Sequence, residues 1–379
     1  MNQNESIIQL SPDKKKSSQY QKIKLYFSII SGIINLIIPV IFLISGGSEQ
    51  LRNLSVDFGY NYHLTVLIYM IIFTLGLVIL HFPFDIFSGF IIEKKFNLSR
   101  LSLYGWLIDW IKGTLIGNTF IILIISGIYW LLKNQPQFWW IWSSIGAVII
   151  IIILSALIPI VILPIFYKFE PIEEGRLKNR LFKLTNKIGT KIQGVYIWHL
   201  SEKTSKSNAA VTGWGKTRRI IISDTLIKSS TEKEIEVVMA HELGHHVNKD
   251  IWKMMFINLV LVFISFYIID LILYKSIEYF NLMSVSDIAG LPLLIIVTAI
   301  ISLIALPVSN WISRRYETNA DIYALEITGM QNEFISAMNK LAEQNLSEKQ
   351  PNSIIEFIFY SHPSIYNRIN NAKKWVKNG

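Results

Sequence analysis

Long apolar segments alternate with polar ones along this chain, and six of them have the length of a membrane-spanning helix. A helix needs about 20 predominantly apolar residues to cross the hydrocarbon core of a bilayer. The six segments are residues 25–45, 64–84, 114–132, 139–163, 254–274 and 289–310. The stretch 103–113 carries Trp106, Asp109, Trp110 and Lys112, which predicts a helix at the membrane interface. If this stretch also crosses, the chain has seven spans.

Two longer polar segments, residues 165–253 and 311–379, predict a domain outside the membrane. Each is short for an independent enzyme, but together they have the length of one ordinary domain. We therefore predict an all-α polytopic membrane protein carrying an α+β domain built from two chain segments. The predicted organisation is a basic tail (1–24), spans one to four (25–164), a first domain segment (165–253), spans five and six (254–310) and a second domain segment (311–379).

The composition also indicates a membrane protein. Hydrophobic residues make up 51% of the chain and charged residues only 17%, whereas a soluble domain carries about 25% charged residues. The net charge is +9, an excess that collects in the cytoplasmic loops of multi-pass proteins. No aromatic-plus-basic motif typical of RNA-binding proteins accompanies this charge, so we expect no nucleic-acid partner.

The distribution of basic residues predicts the orientation in the bilayer. Five lysines precede the first span and Lys94, Lys95 and Arg100 follow the second, whereas the alternate loops hold one basic residue each. By the positive-inside rule, both termini and both polar segments are cytoplasmic. The abundance of Ile, Lys and Asn favours a bacterial plasma membrane as the location, with the ER membrane expected if the source is eukaryotic.

The first polar segment contains a candidate metal site in the sequence HELGH. Thr231 and Glu234 have the spacing of a capping box, which predicts a helix starting there. His241 and His245 then lie on one face of that helix, as two ligands of one Zn²⁺ require. Glu242, beside the first histidine, is placed to reach a metal-bound water. The chain has no cysteine, so a third protein ligand must be His, Asp or Glu.

Glu317 and Asp321 are the candidates for completing this site. They lie four residues apart, just after the sixth span, on a predicted helix that ends at Gly329. Glu317 can bind the metal while Asp321 hydrogen-bonds a ligand histidine. From the spacing alone, an exposed helix whose carboxylates pair with the neighbouring arginines is an equal alternative.

Together these residues resemble the integral-membrane CAAX prenyl proteases of type 1, a family of zinc metalloendopeptidases. The resemblance covers most of the chain from the second span onward, and its most specific parts are HELGHH, RRYETNADIYAL and SHPSIYNRI. It implies a zincin-like domain with one Zn²⁺ per chain, held by His241, His245 and Glu317. It also implies a peptide or protein substrate, lipidated or with a hydrophobic C-terminus, although a bacterium has no obvious prenylated CAAX proteins.

The resemblance assigns roles to further residues. Glu242 is the general base, His362 and Arg368 help to hold the oxyanion or the substrate, and Asp321 supports a ligand histidine. Residues 208–212 form an edge strand that receives the peptide, where Asn208 and Ala209 bind its main chain. Family structures also have helices that enclose a large water-filled chamber, which we expect here as well.

Two other functions fit parts of the sequence. A quality-control protease of the HtpX group also carries HExxH at a membrane boundary, but with fewer spans. A non-catalytic transporter or scaffold with a zinc-stabilised domain is the other alternative. Ion-coupled transporters usually show more intramembrane charges than Asp85 and Asp270, and no fourth protein ligand for a structural zinc is evident.

Overall fold

The computed structural model describes residues 12–213 and 215–375 of the chain, and most of them are helical. Six helices in these ranges are long and apolar enough to cross a membrane, which confirms the predicted polytopic fold. They are α1 (Pro12–Ile44), α3 (Tyr62–Lys95), α4 (Leu103–Asn134), α5 (Trp139–Phe166), α9 (Asp250–Tyr279) and α10 (Leu291–Thr328). The shorter helices are α2 (Gly47–Phe58), α6 (Arg176–Lys187), α7 (Asp224–Ser229), α8 (Glu232–Val247), α11 (Gln331–Gln344), α12 (Ser353–Phe359) and α13 (Ile365–Lys374).

Residues 103–113 are the first turns of α4 rather than a separate helix. The Ser102 side chain caps this helix by accepting a hydrogen bond from the Gly105 amide. Gly113 does not interrupt it, because one interior glycine costs a helix only about 1 kcal/mol. The described part of the chain therefore holds six candidate spans, and the seventh crossing left open by the sequence is not present.

Several predicted segment boundaries fall inside helices. Residue 310 lies within α10, which runs for 38 residues from its apolar half into its polar half. Residue 24 likewise lies within α1, while residues 1–11 of the predicted basic tail are outside the described residues. The apolar pattern ends where a helix leaves the membrane, but the helix itself continues because polar residues such as Arg and Glu are good helix formers.

Four short strands form one mixed sheet in the order β1 (Phe169–Pro171), β2 (Gly194–Trp198), β4 (Arg219–Ser223) and β3 (Ala209–Thr212). β2 and β4 are parallel, and β3 pairs antiparallel with β4 as an edge strand. Met239 of α8, Ile222 of β4 and Ala324 of α10 belong to one hydrophobic core. The two polar chain segments therefore share one hydrophobic core, as the predicted two-segment domain requires.

The helix α2 was not predicted. It contacts the loop before α10, which lies far away in the sequence. Arg52 on α2 is 5% exposed, and its Nη1 lies 2.6 Å from Oδ2 of Asp287. Asp287 is equally buried and also accepts hydrogen bonds from the amides of Met283 and Ala289. This buried pair ties the connection after α1 to the loop before α10.

Replacing Arg52 with methionine should lower the free energy of unfolding by about 3–5 kcal/mol, because it leaves Asp287 buried without its cation. The measurement is the thermal unfolding midpoint of the detergent-purified protein, followed by tryptophan fluorescence. Glu49→Gln is the matched control, since Glu49 contacts the same arginine at 3.1 Å but has a side chain 49% exposed, and it should cost less than about 1 kcal/mol. Equal midpoints for the two variants would contradict this role of the pair.

Polar side chains face one another between the membrane helices. A cavity of about 400 Å³ is lined by residues of α3, α4 and α10, among them His81, Asp85 and Asn118. Asp85 accepts a hydrogen bond from the Trp110 indole at 3.0 Å, and Asp270 accepts one from Trp139 at 2.5 Å. Both intramembrane aspartates are thus tied to a neighbouring helix. The large enclosed chamber implied by the resemblance stays a prediction.

Candidate metal centre

The helix α8 begins with the capping box that the sequence predicts. Thr231 accepts a hydrogen bond from the Glu234 amide, and the Glu234 carboxylate accepts one from the Thr231 amide at 2.6 Å. Glu234 is also held by Ser336 and Lys340 of α11. The start of α8 is therefore fixed against the second chain segment, which sets the position of the histidines further along the helix.

His241, His245 and Glu317 converge on one point. Nε2 of His241 lies 3.3 Å from Oε2 of Glu317, and Nε2 of His245 lies 3.3 Å from Oε1. One ligand atom from each of the three residues lies within 4.8 Å of the others. The structure thus brings together the two histidines of α8 and the carboxylate of α10. The alternative of an exposed Glu317 that pairs with the neighbouring arginines of its own helix is excluded, because Glu317 is only 7% exposed.

Gly244 allows α8 and α10 to approach closely enough for this convergence. A Cβ atom added at Gly244 would lie 3.3 Å from Cα of Ala320 and 3.1 Å from the Tyr323 ring. Gly244 lies between the two histidines in sequence, and Ala320 lies between Glu317 and Tyr323. The small residues at this crossing therefore set the distance across which Glu317 reaches the histidines.

The three side chains fit a divalent metal ion. Tetrahedral zinc has Zn–N and Zn–O bonds of about 2.0–2.2 Å, which places neighbouring ligand atoms about 3.3–3.5 Å apart. Each histidine Nε2 lies at that spacing, 3.3 Å, from one of the two Glu317 oxygens, and a set of one ligand atom per residue lies within 4.8 Å. Oε2 of Glu317 is buried and accepts no hydrogen bond from the described residues, so it has a free lone pair where a cation would lie. Two imidazoles and a carboxylate are also a donor set that zinc accepts.

Each histidine is oriented by a carboxylate on its other ring nitrogen. Nδ1 of His241 lies 2.8 Å from Oδ1 of Asp321, and Nδ1 of His245 lies 3.1 Å from Oδ2 of Asp250. Such partners fix the tautomer, so that both Nε2 atoms are free to bind metal. Asp321 was predicted, whereas Asp250 was missed. The sequence could have indicated it, because Asp250 is an acidic residue in the first turn of the helix that directly follows α8.

Replacing Asp250 with asparagine should weaken metal binding about 10- to 100-fold, because His245 loses the carboxylate that orients it and makes it more basic. The measurement is competition for Zn²⁺ against a chromophoric chelator. Lys253→Met is the control, since Lys253 pairs with the same carboxylate at 3.3 Å but its side chain is 51% exposed. Unchanged affinity in Asp250→Asn would show that the aspartate does not support metal binding.

The charges around the site favour a bound cation. Burial raises the pKa of Glu242 above its usual range. Burial of His241 opposes its charged form, but the neighbouring carboxylates of Asp321 and Glu317 raise the pKa of His241 to about 9. The carboxylates of the centre therefore stabilise positive charge between the histidines.

His362 and Arg368 both lie at the centre, on different sides of it. Nε2 of His362 is 3.1 Å from Oε1 of Glu317, and its side chain is 60% exposed. Arg368 is buried, and its Nε and Nη2 atoms bind the two oxygens of Asp321 at 2.8 and 2.5 Å. His362 therefore approaches from the exposed side, whereas Arg368 contacts Asp321, His241 and Glu317 from the buried side.

The predicted substrate-binding residues lie at the edge of the sheet. Asn208 precedes β3 and is exposed, and its carbonyl and amide bond to Ser223 of β4 at 2.9 Å each. Ala209 begins β3 and is buried against the core that includes α8. The expected edge strand over residues 208–212 is thus present as Ala209–Thr212, with one backbone edge unpaired by the described strands.

Comparison with known proteins gives this arrangement a family. The model of peptidase family M48 matches residues 171–376, more than half of the chain, and a model of the CAAX prenyl protease N-terminal region, with five membrane helices, matches residues 8–168. The uncharacterized metalloprotease YhfN of Bacillus subtilis is 27% identical over 94% of this chain and 85% of its own length.

A eukaryotic relative and a solved structure agree with this match. The CAAX prenyl protease 1 homolog of Oryza sativa is 30% identical over 76% of this chain and 68% of its own length. The crystal structure of S. mikatae Ste24p has the same fold, with a TM-score of 0.83 over 95% of this chain and 88% of that one, at 24% identity. The chain therefore belongs to peptidase family M48 and is a multi-pass membrane metalloendopeptidase similar to the CAAX prenyl proteases.

Proposed function

We propose that this metalloendopeptidase uses one zinc ion to cleave peptides that are lipidated or end in a hydrophobic C-terminus. The observation that carries the proposal is the position of Glu317, whose Oε2 lies 3.3 Å from Nε2 of His241 and whose Oε1 lies 3.3 Å from Nε2 of His245. His241, His245 and Glu317 would hold the ion and leave one position open, as catalytic zinc requires. Asp321 and Asp250 would keep the two imidazoles in the metal-binding tautomer.

Glu242 moves the proton in this mechanism. When bound, zinc supplies Lewis acidity that activates water and polarises the peptide carbonyl. The Glu242 carboxylate accepts a proton from the attacking water and then donates it to the nitrogen of the leaving amine. Burial raises the pKa of Glu242, which makes its carboxylate a stronger proton acceptor than that of an exposed glutamate.

His362 would stabilise the developing oxyanion. It is exposed on the open side of the centre, and its Nδ1 lies 2.9 Å from the Ser361 hydroxyl. A hydrogen bond to the oxyanion from Nε2 would strengthen as negative charge develops there. Arg368 is a positioning residue, since it is buried against the ligands: its Nε and Nη2 donate to Asp321, and Nη2 also lies 3.4 Å from Nδ1 of His241 and 3.9 Å from Oε2 of Glu317.

We propose that the substrate peptide binds along the edge of β3 that no described strand pairs with. An extended segment adds to a sheet edge through main-chain hydrogen bonds, which give affinity without a fixed side-chain sequence. Asn208 and Ala209 lie where this edge begins. Such a mode of binding fits a protease that selects its substrates by their C-terminal end.

The loop charges support an active site on the cytoplasmic face of a bacterial plasma membrane. Lys94, Lys95 and Arg100 follow α3 on the same side as the five lysines that precede the apolar part of α1. Arg100 is also bonded to this side of the domain, with its amide donating to the Lys203 carbonyl at 2.8 Å. This is the side that the positive-inside rule assigns to the cytoplasm.

The test is cleavage of a farnesylated CAAX peptide and its unlipidated twin by the detergent-purified protein, with the products read by mass spectrometry. We expect removal of the last three residues from the lipidated peptide, and no product with Glu242→Gln. Cleavage of both peptides at scattered sites would indicate a quality-control protease instead. If zinc is bound and neither peptide is cleaved, the proposed substrate class is wrong.

A further inference from the structure

A second cavity lies beside the beginning of β3, away from the metal ligands. Its volume is about 500 Å³, and it lies between α1, the residue after α5 and the loop that leads into β3. Its lining includes Lys24, Tyr167, Trp198, Lys206, Ser207 and Asn208. Because Asn208 borders both this cavity and the start of the edge strand, a peptide seated on β3 can extend into it.

The wall of this cavity is held rigidly by hydrogen bonds. Asn345 binds the Ser207 backbone twice, with Oδ1 accepting from the amide at 3.0 Å and Nδ2 donating to the carbonyl at 3.2 Å. The Lys206 carbonyl accepts a hydrogen bond from the Thr225 hydroxyl at 2.8 Å. The segment before β3 is therefore organised before any ligand binds.

The hydroxyl of Ser207 has no partner in this wall. Ser207 is 4% exposed, and its Oγ makes no hydrogen bond to the described residues. An unsatisfied buried polar group costs about 1–3 kcal/mol. A ligand that accepts a hydrogen bond here would recover this cost.

Two lysines give the cavity an uncompensated positive charge. Nζ of Lys24 lies 3.3 Å and Nζ of Lys206 lies 2.9 Å from the carboxylate of Glu93, which both share. Two ammonium groups on one carboxylate leave a charge of +1, and each lysine side chain is about one-third exposed, at 35% and 34%. Ammonium donors next to a free hydroxyl donor form a site for a single carboxylate.

We propose that this cavity binds the free C-terminal carboxylate of the peptide substrate, an inference that rests on the proposed function of the β3 edge. An extended peptide rises about 3.3 Å per residue, so about four residues reach from the middle of β3 to Lys206. The C-terminal end reaches the cavity only if the peptide runs antiparallel to β3. The enzyme would then measure its cleavage site from a free chain end.

The experiment compares the binding of two peptides to the full-length Glu242→Gln protein in detergent. Each is a fluorescein-labelled hexapeptide ending in valine, isoleucine and alanine, one as the free acid and one as the C-terminal amide, followed by fluorescence anisotropy. We expect the amide to bind about 10- to 100-fold more weakly, because it lacks the charge that the lysines recognise. Lys206→Met should remove this difference. Lys22→Met, which changes an exposed lysine on the same helix as Lys24, should keep it.

Equal affinity for the acid and the amide overturns the inference, as does equal weakening of both peptides in Lys206→Met. A phosphate of an anionic lipid has similar chemistry, so phosphatidylglycerol is titrated in a third arm. If phosphatidylglycerol displaces neither peptide and the acid still binds more tightly than the amide, the inference of a carboxylate site is confirmed. If it competes and the acid and amide bind alike, the cavity holds lipid. Because the readout is binding, loss of cleavage by the wild type with the acid preference intact would count against the proposed function and not against this site.

Discussion

Replacing Glu242 with glutamine should lower kcat about 10²- to 10⁴-fold while zinc stays bound. Glutamine keeps the shape of the side chain but cannot accept the proton of the attacking water, and general base catalysis contributes about this factor. Since Glu242 is not a proposed ligand, the metal content should stay at one ion per chain. The measurement combines the cleavage rate of the peptide used to establish activity with the zinc content of the same preparation.

Glu232→Gln is the matched control for this variant. Glu232 lies at the start of the same helix, where it pairs loosely with Arg176 at 3.6 Å. The same chemical change there should leave kcat within about twofold, because an exposed pair of this kind contributes little. Normal turnover in Glu242→Gln would show that another group accepts the proton.

Replacing Glu317 with alanine should remove the metal. The variant leaves two histidines as ligands. Loss of a ligand should lower the metal affinity by more than the roughly 10- to 100-fold that follows the removal of a supporting hydrogen bond. Activity should fall with the metal content and should not return at micromolar zinc. The measurement is the metal content by inductively coupled plasma mass spectrometry after dialysis against a weak chelator.

Glu326→Ala controls for the loss of a carboxylate from α10. Glu326 lies on the same helix and is exposed, so this variant should keep one ion per chain. If Glu317→Ala also retained its zinc, a different residue would complete the site, and His362, 3.1 Å from Glu317, would be the first to test.

Those parts of the site that depend on local spacing could be predicted from the sequence. The four-residue interval between His241 and His245, the cap at Thr231 and the helix end at Gly329 follow from helical geometry and are present in the structure. The spacing of Glu317 and Asp321 alone did not distinguish a ligand from a surface carboxylate. That required the close crossing of α8 and α10 at Gly244, which is a tertiary feature.

Other features could not be predicted because they join residues far apart in the chain. Arg52 was read only as a loop charge, yet it forms a buried pair with Asp287 across 235 positions. The cavity beside β3 draws on α1, the Lys206–Asn208 segment and Asn345, and no periodicity links them. The helix ends were also misplaced, because hydropathy marks the limits of the membrane rather than the limits of a helix.

The most direct test of the account is anomalous X-ray scattering from crystals of the unmodified chain, recorded just above and just below the zinc absorption edge. The account predicts one peak per chain, present only above the edge, between Nε2 of His241, Nε2 of His245 and the Glu317 carboxylate. A peak ligated by other residues, or none at this position in protein that cleaves peptide, would contradict the assignment of this site as the catalytic centre.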